Sequence, residues 1–257
     1  FKGKFNGTYC DAAFFSTQWN KPFSTGVGGY SYISNAALNA KVIEENKNRC
    51  QPSLMKKISL TFQLFIRKTL LTDYTYWTLV PLYRMLSRNN IVLGSSSGTE
   101  ISSAEMPHKY SMGMSNVQAK AGIKNIKRLS ELLKLRKTNA EKYTHFLKEQ
   151  GLNHPAEELC DNHAFLKYPL LVKDKMKVMT LAEKQKISLG DWLNSPLHPI
   201  QEHFETWEMN IAEFPKAAFA GQHMINLPLE SNVDKTKKFI ISIQEYIYRQ
   251  QEIEELY

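Results

Sequence analysis

The segment Asp11–Tyr30, DAAFFSTQWNKPFSTGVGGY, joins a short apolar run to a polar loop that ends in glycines. The run Ala12–Phe15 is long enough for one strand and too short for most helices. Lys21 stands directly before Pro22, which lacks a backbone donor and biases the preceding residue towards an extended conformation. The sequence therefore predicts that Lys21 lies at a strand end or in a loop, ahead of a second strand at Tyr30–Ile33.

Two roles suit this lysine. A lysine held behind a strand, with hydroxyl and amide groups just ahead of it, can form a Schiff base beside an anchored phosphate. Ser16 and Gln18 supply such groups, and the glycines that follow indicate a tight turn or a close backbone approach. Composition by itself favours the other role, a solvated lysine in a polar loop.

The pattern S-x-Q-x-x-K-P-x-x-T-G-x-G-G, here Ser16–Gly29, resembles the lysine segment of the DegT/StrS family of sugar aminotransferases. The resemblance implies pyridoxal 5'-phosphate (PLP) as cofactor and the α/β fold of PLP-dependent transferases of fold type I, the aspartate-aminotransferase-like fold. It also implies that Lys21 carries the cofactor as an imine and moves the proton, while Ser16 and Gln18 bind the phosphate or the surroundings of the ring. Relatives that dehydrate sugars carry histidine at the lysine position, so Lys21 favours transamination.

A second similarity lies in Met114–Gly122, MSNVQAKAG, which resembles the family's M-S-x-x-Q-A-x-x-G at the start of a long basic helix. The family usually has Asn-x-Arg shortly before this methionine, and its asparagine reaches the phosphate of the neighbouring subunit's cofactor. Ser111 and Gly113 stand there in this chain. The resemblance therefore assigns Ser111 to the cofactor, as a donor of shorter reach.

A third similarity covers Ser195–Pro199, SPLHP, and Phe214–Leu229, which resemble the family's P-L-H and L-P-L landmarks. His198 matches the histidine that can border the substrate pocket, although a loop histidine between two prolines is as often structural. His203 and His223 have no metal-like spacing with it, so we expect surface positions for both and no metal site.

The hydrophobic pattern predicts a helix at 35–48 with Asn35 as its N-cap, and two helices within 53–93, separated near 72–73 and bent at Pro81. We expect this helical segment to pack on its own domain or on a partner subunit rather than on a membrane surface, and its charges are too frequent for a membrane span.

One long helix is predicted from about 115 to 150. Its apolar face is expected to carry Ala140, Tyr143 and Leu147, and Arg136 is expected on its solvated basic side. Alternating strands and helices follow: a strand at 164–172, a helix at 174–186 capped by Asp174, a short helix at 213–222, a strand at 224–227 and a closing helix at 233–248. The terminal residues are expected to be frayed.

These elements predict two domains. Residues 1–114 are the end of a large PLP-binding domain with the helical segment at about 53–93, and residues 115–257 are a long interdomain helix with a small C-terminal α/β domain. In the resembled family, much of the PLP domain precedes the lysine, including the acidic residue that pairs with the pyridinium nitrogen. Asp11 lies too close to Ser16 in the sequence to be that acidic residue. We therefore expect the C-terminal portion of a longer enzyme, with the N-terminal part of the large domain missing, or a truncated reading frame.

Composition restricts the function classes. The chain has 257 residues, 42% of them hydrophobic. Its three cysteines lie far apart, which suggests neither a disulfide framework nor a zinc site and favours a reducing compartment. The formal net charge is +8, but Lys and Arg are scattered and no nucleic-acid motif is present. No signal peptide is recognisable, so the expected location is cytoplasmic.

The expected function is transfer of an amino group, from glutamate, to a keto group on a nucleotide-linked sugar, for a surface polysaccharide, a lipopolysaccharide or a glycosylated metabolite. The expected partners are the nucleotide sugar, the amino-acid donor and a second copy in a homodimer with shared active sites, with neither nucleic acid nor membrane. The alternative is a non-catalytic or truncated family member that acts as a structural or dimerisation subunit without cofactor.

Overall fold

A computed structural model of the chain describes residues 5–19, 21–72, 74–88, 112–160 and 163–256. The chain divides into two compact units, Phe1–Ser130 and Glu131–Tyr257. This division by contacts falls later than the predicted domain boundary at 114/115, which stays a prediction. Each unit contains a two-stranded antiparallel sheet with helices around it.

The sheet of the first unit is a hairpin of β1 (Ala12–Ser16) and β2 (Gly29–Ile33). Ala12 lies opposite Ile33, and Ser16 lies opposite Gly29. The rings of Phe15 and Tyr30 stack across the pair with their centroids 4.9 Å apart. The predicted hairpin is confirmed, and the segment 17–28 that joins its strands carries Lys21 in a loop.

Four helices are described in the first unit: α1 (Ala36–Lys47), α2 (Leu54–Thr69), α3 (Tyr76–Arg88) and α4 (Asn116–Ile126). The predicted N-cap is confirmed, because the side chain of Asn35 accepts a hydrogen bond from the Leu38 amide at 3.0 Å. Pro81 lies inside α3. α2 and α3 are thus separate helices, as the sequence predicted.

The prediction of one long helix from 115 to 150 is wrong, because two helices occupy this range. α4 ends at Ile126, and α5 runs from Leu129 to Glu149. At the break, the Arg128 amide donates to the Asn125 carbonyl three residues back, at 3.0 Å, instead of four residues back. This tighter bonding ends the α-helical ladder. The apolar spacing continues through the break, so periodicity alone could not reveal it.

The sheet of the second unit pairs β3 (Tyr168–Leu171) with β4 (Met224–Leu227). Around it lie α5, α6 (Glu157–Cys160), α7 (Lys175–Lys184), α8 (Pro215–His223), α9 (Val233–Ser242) and α10 (Gln250–Leu256). The predicted cap of α7 is confirmed, since Asp174 accepts from the Lys177 amide at 2.8 Å. The strand predicted at 164–172 is shorter than expected.

The closing helix also ends earlier than predicted, at Ser242 instead of Tyr248. Ile247 bridges to Val172, and the Tyr248 carbonyl accepts from the side chain of Asn153 at 2.8 Å, so this part of the chain is extended beside β3. Near the C-terminus, Gln250–Leu256 form α10. Among the described residues, no helix is long and apolar enough to span a bilayer.

The core of the second unit forms where α5 and α9 cover the sheet. Tyr143 and Tyr168 are fully buried, and their hydroxyls are hydrogen-bonded to the Pro228 carbonyl at 2.9 Å and to the Thr144 hydroxyl at 2.8 Å. Burial raises the pKa of Tyr143 to about 12 and also raises the pKa of Tyr168. Both phenols therefore stay neutral and serve as structural hydrogen-bonding groups.

Arg136 is not on the solvated side of its helix, as the sequence suggested, but buried. Its Nε and Nη2 donate to the Phe165 carbonyl at 3.1 and 2.9 Å, Nη2 also donates to the Leu166 carbonyl, and Nη1 pairs with Glu230. Phe165 has a left-handed backbone, with φ of 46°, so the chain turns sharply there. The five guanidinium donors suit such a turn, which presents adjacent carbonyls.

Leu147→Ala should lower the free energy of unfolding by about 2–5 kcal/mol, because it opens a cavity in this core. Leu147 is fully buried on α5, whereas Leu135 on the same helix is 44% exposed. Leu135→Ala is therefore the matched control and should cost less than about 1 kcal/mol. Urea unfolding of both variants measures the difference, and equal losses would contradict the described core.

Candidate functional site

Lys21 lies in the loop that joins β1 to β2, and its amide donates to the Gln18 carbonyl at 3.0 Å. The side chain is partly buried, and this burial lowers the pKa of its ammonium group below the ordinary value for lysine. A larger fraction of the amine is therefore neutral at a given pH. A neutral amine is the form that attacks a carbonyl or accepts a proton.

Ser16 and Gln18 lie in the same turn as Lys21, so the structure brings these three predicted residues together. Ser16 is the last residue of β1 and is exposed, and the Gln18 amide donates to its Oγ at 3.4 Å. Gln18 also pairs with Gly26 across the loop. The turn thus presents an amine and a hydroxyl within a few residues of each other.

Two buried threonines close this loop on itself, and sequence reasoning missed their role. The hydroxyls of Thr17 and Thr25 are 2.6 Å apart, and the Thr25 amide donates to the Thr17 carbonyl at 2.9 Å. The Thr17 amide donates in turn to Gly28 at 2.9 Å. Gly28 has φ of 108°, a conformation that glycine adopts without strain. These bonds fix the backbone on both sides of Lys21.

Helix α4 holds the same loop from outside through two side-chain amides. Gln118 Nε2 donates to the Val27 carbonyl at 2.7 Å, and Asn125 Nδ2 donates to the Ser24 carbonyl at 2.7 Å. The two residues are seven positions apart, which places them on one helix face. Gly122 lies between them, where an added Cβ would be 3.1 Å from Thr25 Cγ2. The helix can approach this closely because Gly122 has no side chain.

A local signal for part of this contact is present in the sequence. Ser115 and Gln118 form a capping box, in which Ser115 Oγ accepts from the Gln118 amide at 3.4 Å and Gln118 Oε1 accepts from the Ser115 amide at 3.0 Å. The Ser-x-x-Gln spacing predicts the start of α4. It does not predict that the remaining NH₂ of Gln118 reaches the lysine loop.

Trp19, two residues before Lys21, carries a buried polar atom. Its Nε1 is buried and makes no hydrogen bond within the part of the chain that the structure describes. The guanidinium carbon of Arg67 lies 5.8 Å from the centroid of the Trp19 ring. A Cβ added at Gly26 would be 3.0 Å from the ring atom Cη2. A buried donor of this kind is satisfied when an acceptor oxygen binds beside it.

His198 belongs to the second unit, where it accepts a hydrogen bond at Nδ1 from the Asn194 amide at 3.3 Å. Its ring lies 5.3 Å from that of Trp192. Burial lowers the pKa of His198, Asp191 opposes this shift, and Lys175 adds to it. The neutral ring accepts at Nδ1, so its proton is on Nε2, which can donate to a ligand oxygen.

The other predicted positions differ in outcome. His203 is exposed, as expected, and its Nδ1 lies 3.2 Å from Glu205 Oε1. The surface position predicted for His223 is wrong: it is half-buried, its Nδ1 lies 2.9 Å from the Val172 carbonyl, and its ring packs 4.4 Å from Phe219. These contacts arise because α8 ends directly at β4, beside β3.

Ser111 lies outside the described residues. In the described ranges, no three His, Cys, Asp or Glu side chains converge as metal ligands.

Gln118→Ala and Asn125→Ala should each loosen the lysine loop, because each removes a hydrogen bond to a loop carbonyl worth about 1 kcal/mol. Gln118→Ala also removes the capping bond from the Ser115 amide. Hydrogen exchange of the amides at 23–28 should become faster in both variants. Asn116→Ala, which changes an exposed asparagine on the same helix, is the control and should leave this exchange unchanged. Exchange that is equally slow in all three variants would show that α4 does not hold the loop.

The pKa of His198 in the folded chain should lie below its ordinary value of 6.5, and NMR titration of the imidazole signals tests this. The unfolded chain binds this proton more tightly, so acidification through pH 6.5 should favour unfolding. His198→Gln should reduce that loss of stability. The urea-unfolded chain is the reference, and an equal or higher pKa in the folded chain would contradict the described environment.

Comparison with known proteins adds both a family and a fold. The sequence pattern of the DegT/DnrJ/EryC1/StrS aminotransferase family matches residues 84–242. No curated protein matches the chain.

Among solved structures, the PMP form of the sugar aminotransferase Spr1654 from Streptococcus pneumoniae is 16% identical with a TM-score of 0.59, over 95% of this chain and 55% of that one. The PLP form of the same protein is 16% identical with a TM-score of 0.55, over 94% of this chain and 52% of that one. A DegT/DnrJ/EryC1/StrS aminotransferase from Brucella abortus is 15% identical with a TM-score of 0.54, over 91% and 51%.

The chain therefore spans about half the length of the solved structures that it matches. The likeness confirms the predicted fold class, the α/β fold type I of PLP-dependent transferases, for the half of that fold that the chain covers. Because the family pattern extends over more than half of the chain, the chain belongs to the DegT/DnrJ/EryC1/StrS aminotransferase family.

Proposed function

We propose that this chain is the lysine-bearing part of a PLP-dependent aminotransferase that acts on a nucleotide-linked keto sugar. The observation that carries the proposal is the position of Lys21: a partly buried amine of lowered pKa, in a loop fixed by its own threonines and by α4. The family and the PLP and PMP forms of the Streptococcus pneumoniae sugar aminotransferase support the cofactor and the sugar class.

The donors around Lys21 fit this cofactor. Lys21 supplies an amine for its aldehyde, and the exposed hydroxyl of Ser16 is available to a phosphate oxygen, with Gln18 beside it. The buried Nε1 of Trp19 is a further donor that an acceptor would satisfy. When bound, PLP supplies an aldehyde that accepts the amino group and a ring that stabilises negative charge on the reacting carbon.

The chain's own contribution is to hold and move a proton. Burial makes the Lys21 amine easier to deprotonate, so Nζ can accept the proton that leaves the carbon of the amino donor and, in the second half of the reaction, donate a proton to the carbon of the keto sugar. The Thr17–Thr25 pair and the two bonds from α4 keep the backbone of Lys21 in place during this transfer. Fixed geometry of this kind lowers the entropic part of the barrier.

In the same proposal, His198 offers its Nε2 proton to an oxygen of the sugar or of its phosphates. The formal net charge of +8 suits an anionic nucleotide sugar. Glutamate as amino donor, a role in glycan synthesis, a cytoplasmic location and a homodimer with shared active sites remain parts of the proposal. The scattered cysteines, which form no disulfide, suit a reducing compartment.

A second candidate is a structural or dimerisation subunit without cofactor. One observation favours it: Asp11, directly before β1, lies at the opposite end of that strand from Ser16. A strand of this length separates its ends by about 16 Å. Asp11 therefore lies far from Ser16, which the resemblance assigns to the cofactor.

The deciding measurement is the visible absorbance spectrum of the chain with added PLP, before and after borohydride. Lys21→Ala should abolish the band and the reduced adduct on this peptide, whereas Lys142→Ala, which changes an exposed lysine of α5, should keep both. Formation of the band should have its midpoint below pH 10.5, because the pKa of Lys21 is lowered. A band that persists in Lys21→Ala would refute the assignment, and no band in the unaltered chain would favour the second candidate.

A further inference from the structure

Helix α2 exposes one apolar face. Five large apolar side chains along it are exposed, among them Met55 at 75% and Phe62 at 63%, and their spacing places them on one side of the helix: Leu54, Met55, Ile58, Phe62 and Phe65. Leu60 and Gln63, on the other side, are buried. We call the five exposed residues the α2 apolar face.

The hydroxyls of the two threonines of α2 are bonded within the helix. Thr61 donates its hydroxyl to the Lys57 carbonyl at 2.7 Å, and Thr69 donates to the Phe65 carbonyl at 2.8 Å. Ile58, Phe62 and Phe65, together with Thr61 and Lys57, line a shallow depression that is open to solvent.

The charged side chains of α2 and α3 have one sign. Neither α2 nor α3 contains an acidic residue, and the basic residues of the two helices are Lys56, Lys57, Arg67, Lys68, Arg84 and Arg88. Lys57 and Lys68 are eleven positions apart, about three helical turns, and so lie along the same edge of the α2 apolar face. Tyr74, in the connection to α3, is 95% exposed.

We propose that the α2 apolar face binds to the surface of an anionic lipid bilayer. The apolar side chains would enter the boundary between headgroups and acyl chains, and Lys57 and Lys68 would contact lipid phosphates. Tyr74 suits the same depth, where aromatic side chains with a polar end are enriched. This replaces the expectation that the chain has no membrane partner, and it does not depend on the proposed transamination.

Charge decides between a lipid surface and a second copy of the chain. A two-fold dimer through this face would bring the same basic residues of both copies together, with no acid of α2 or α3 to pair with them. An anionic bilayer supplies negative charge over the whole contact. The observations therefore favour the lipid surface.

Flotation of the full chain with vesicles tests the proposal. The chain should bind vesicles of equal parts phosphatidylcholine and phosphatidylglycerol, bind phosphatidylcholine vesicles far less, and lose binding as salt increases. Met55→Glu should abolish binding. The matched control is Met176→Glu, since Met176 lies on α7 of the second unit and is 77% exposed, and it should bind as the unaltered chain does.

A second variant tests the role of charge and combines Lys57→Gln with Lys68→Gln. Because each basic residue near the surface contributes about 1 kcal/mol, the double variant should bind roughly 30-fold more weakly. If circular dichroism shows that Met55→Glu is unfolded, the double lysine variant alone tests the proposal. Absence of binding to the anionic vesicles, or binding that neither α2 variant weakens, overturns the proposal. A dimer that Met55→Glu dissociates, without vesicle binding, overturns it in favour of a second copy.

Discussion

Two hydrogen bonds from side-chain amides of α4 set the position of the loop that carries Lys21. Gln118 and Asn125 bond carbonyls 91 and 101 residues earlier in the chain. Backbone carbonyls in such a loop need donors once they are buried, and α4 supplies them at two turns of one helix face. Gly122 lies between these two residues and lets α4 approach Thr25 closely. The chemistry available to Lys21 therefore depends on a helix that carries none of the reacting groups.

Local features of the sequence were sufficient for much of the fold. Asn35 and Asp174 cap their helices as predicted, because a cap depends on residues only three positions away. The hairpin and the loop position of Lys21 follow from Pro22 and the glycines. Ser16, Gln18 and Lys21 lie together for the same local reason.

The features that sequence reasoning missed depend on distant partners. Arg136 is buried because the turn at Phe165 presents carbonyls to it, and nothing near Arg136 in sequence indicates this. The helix after β4 stops because Ile247 bridges to Val172. Likewise, Gln118 could be read as a capping residue but not as a donor to Val27. Periodicity detects which face is apolar, and it does not reveal which polar group a buried side chain will meet.

The partial burial of Lys21 also affects the stability of the fold. A lysine whose pKa is lowered in the folded chain binds its proton more tightly when unfolded, so the charged form favours unfolding, and this penalty is relieved only as the pH rises towards 10.5. At neutral pH the loop therefore holds a partly buried ammonium group at some expense of stability. An uncharged side chain of similar length would make the hairpin more stable and chemically inert. In this loop, reactivity and robustness are opposing demands on a single residue.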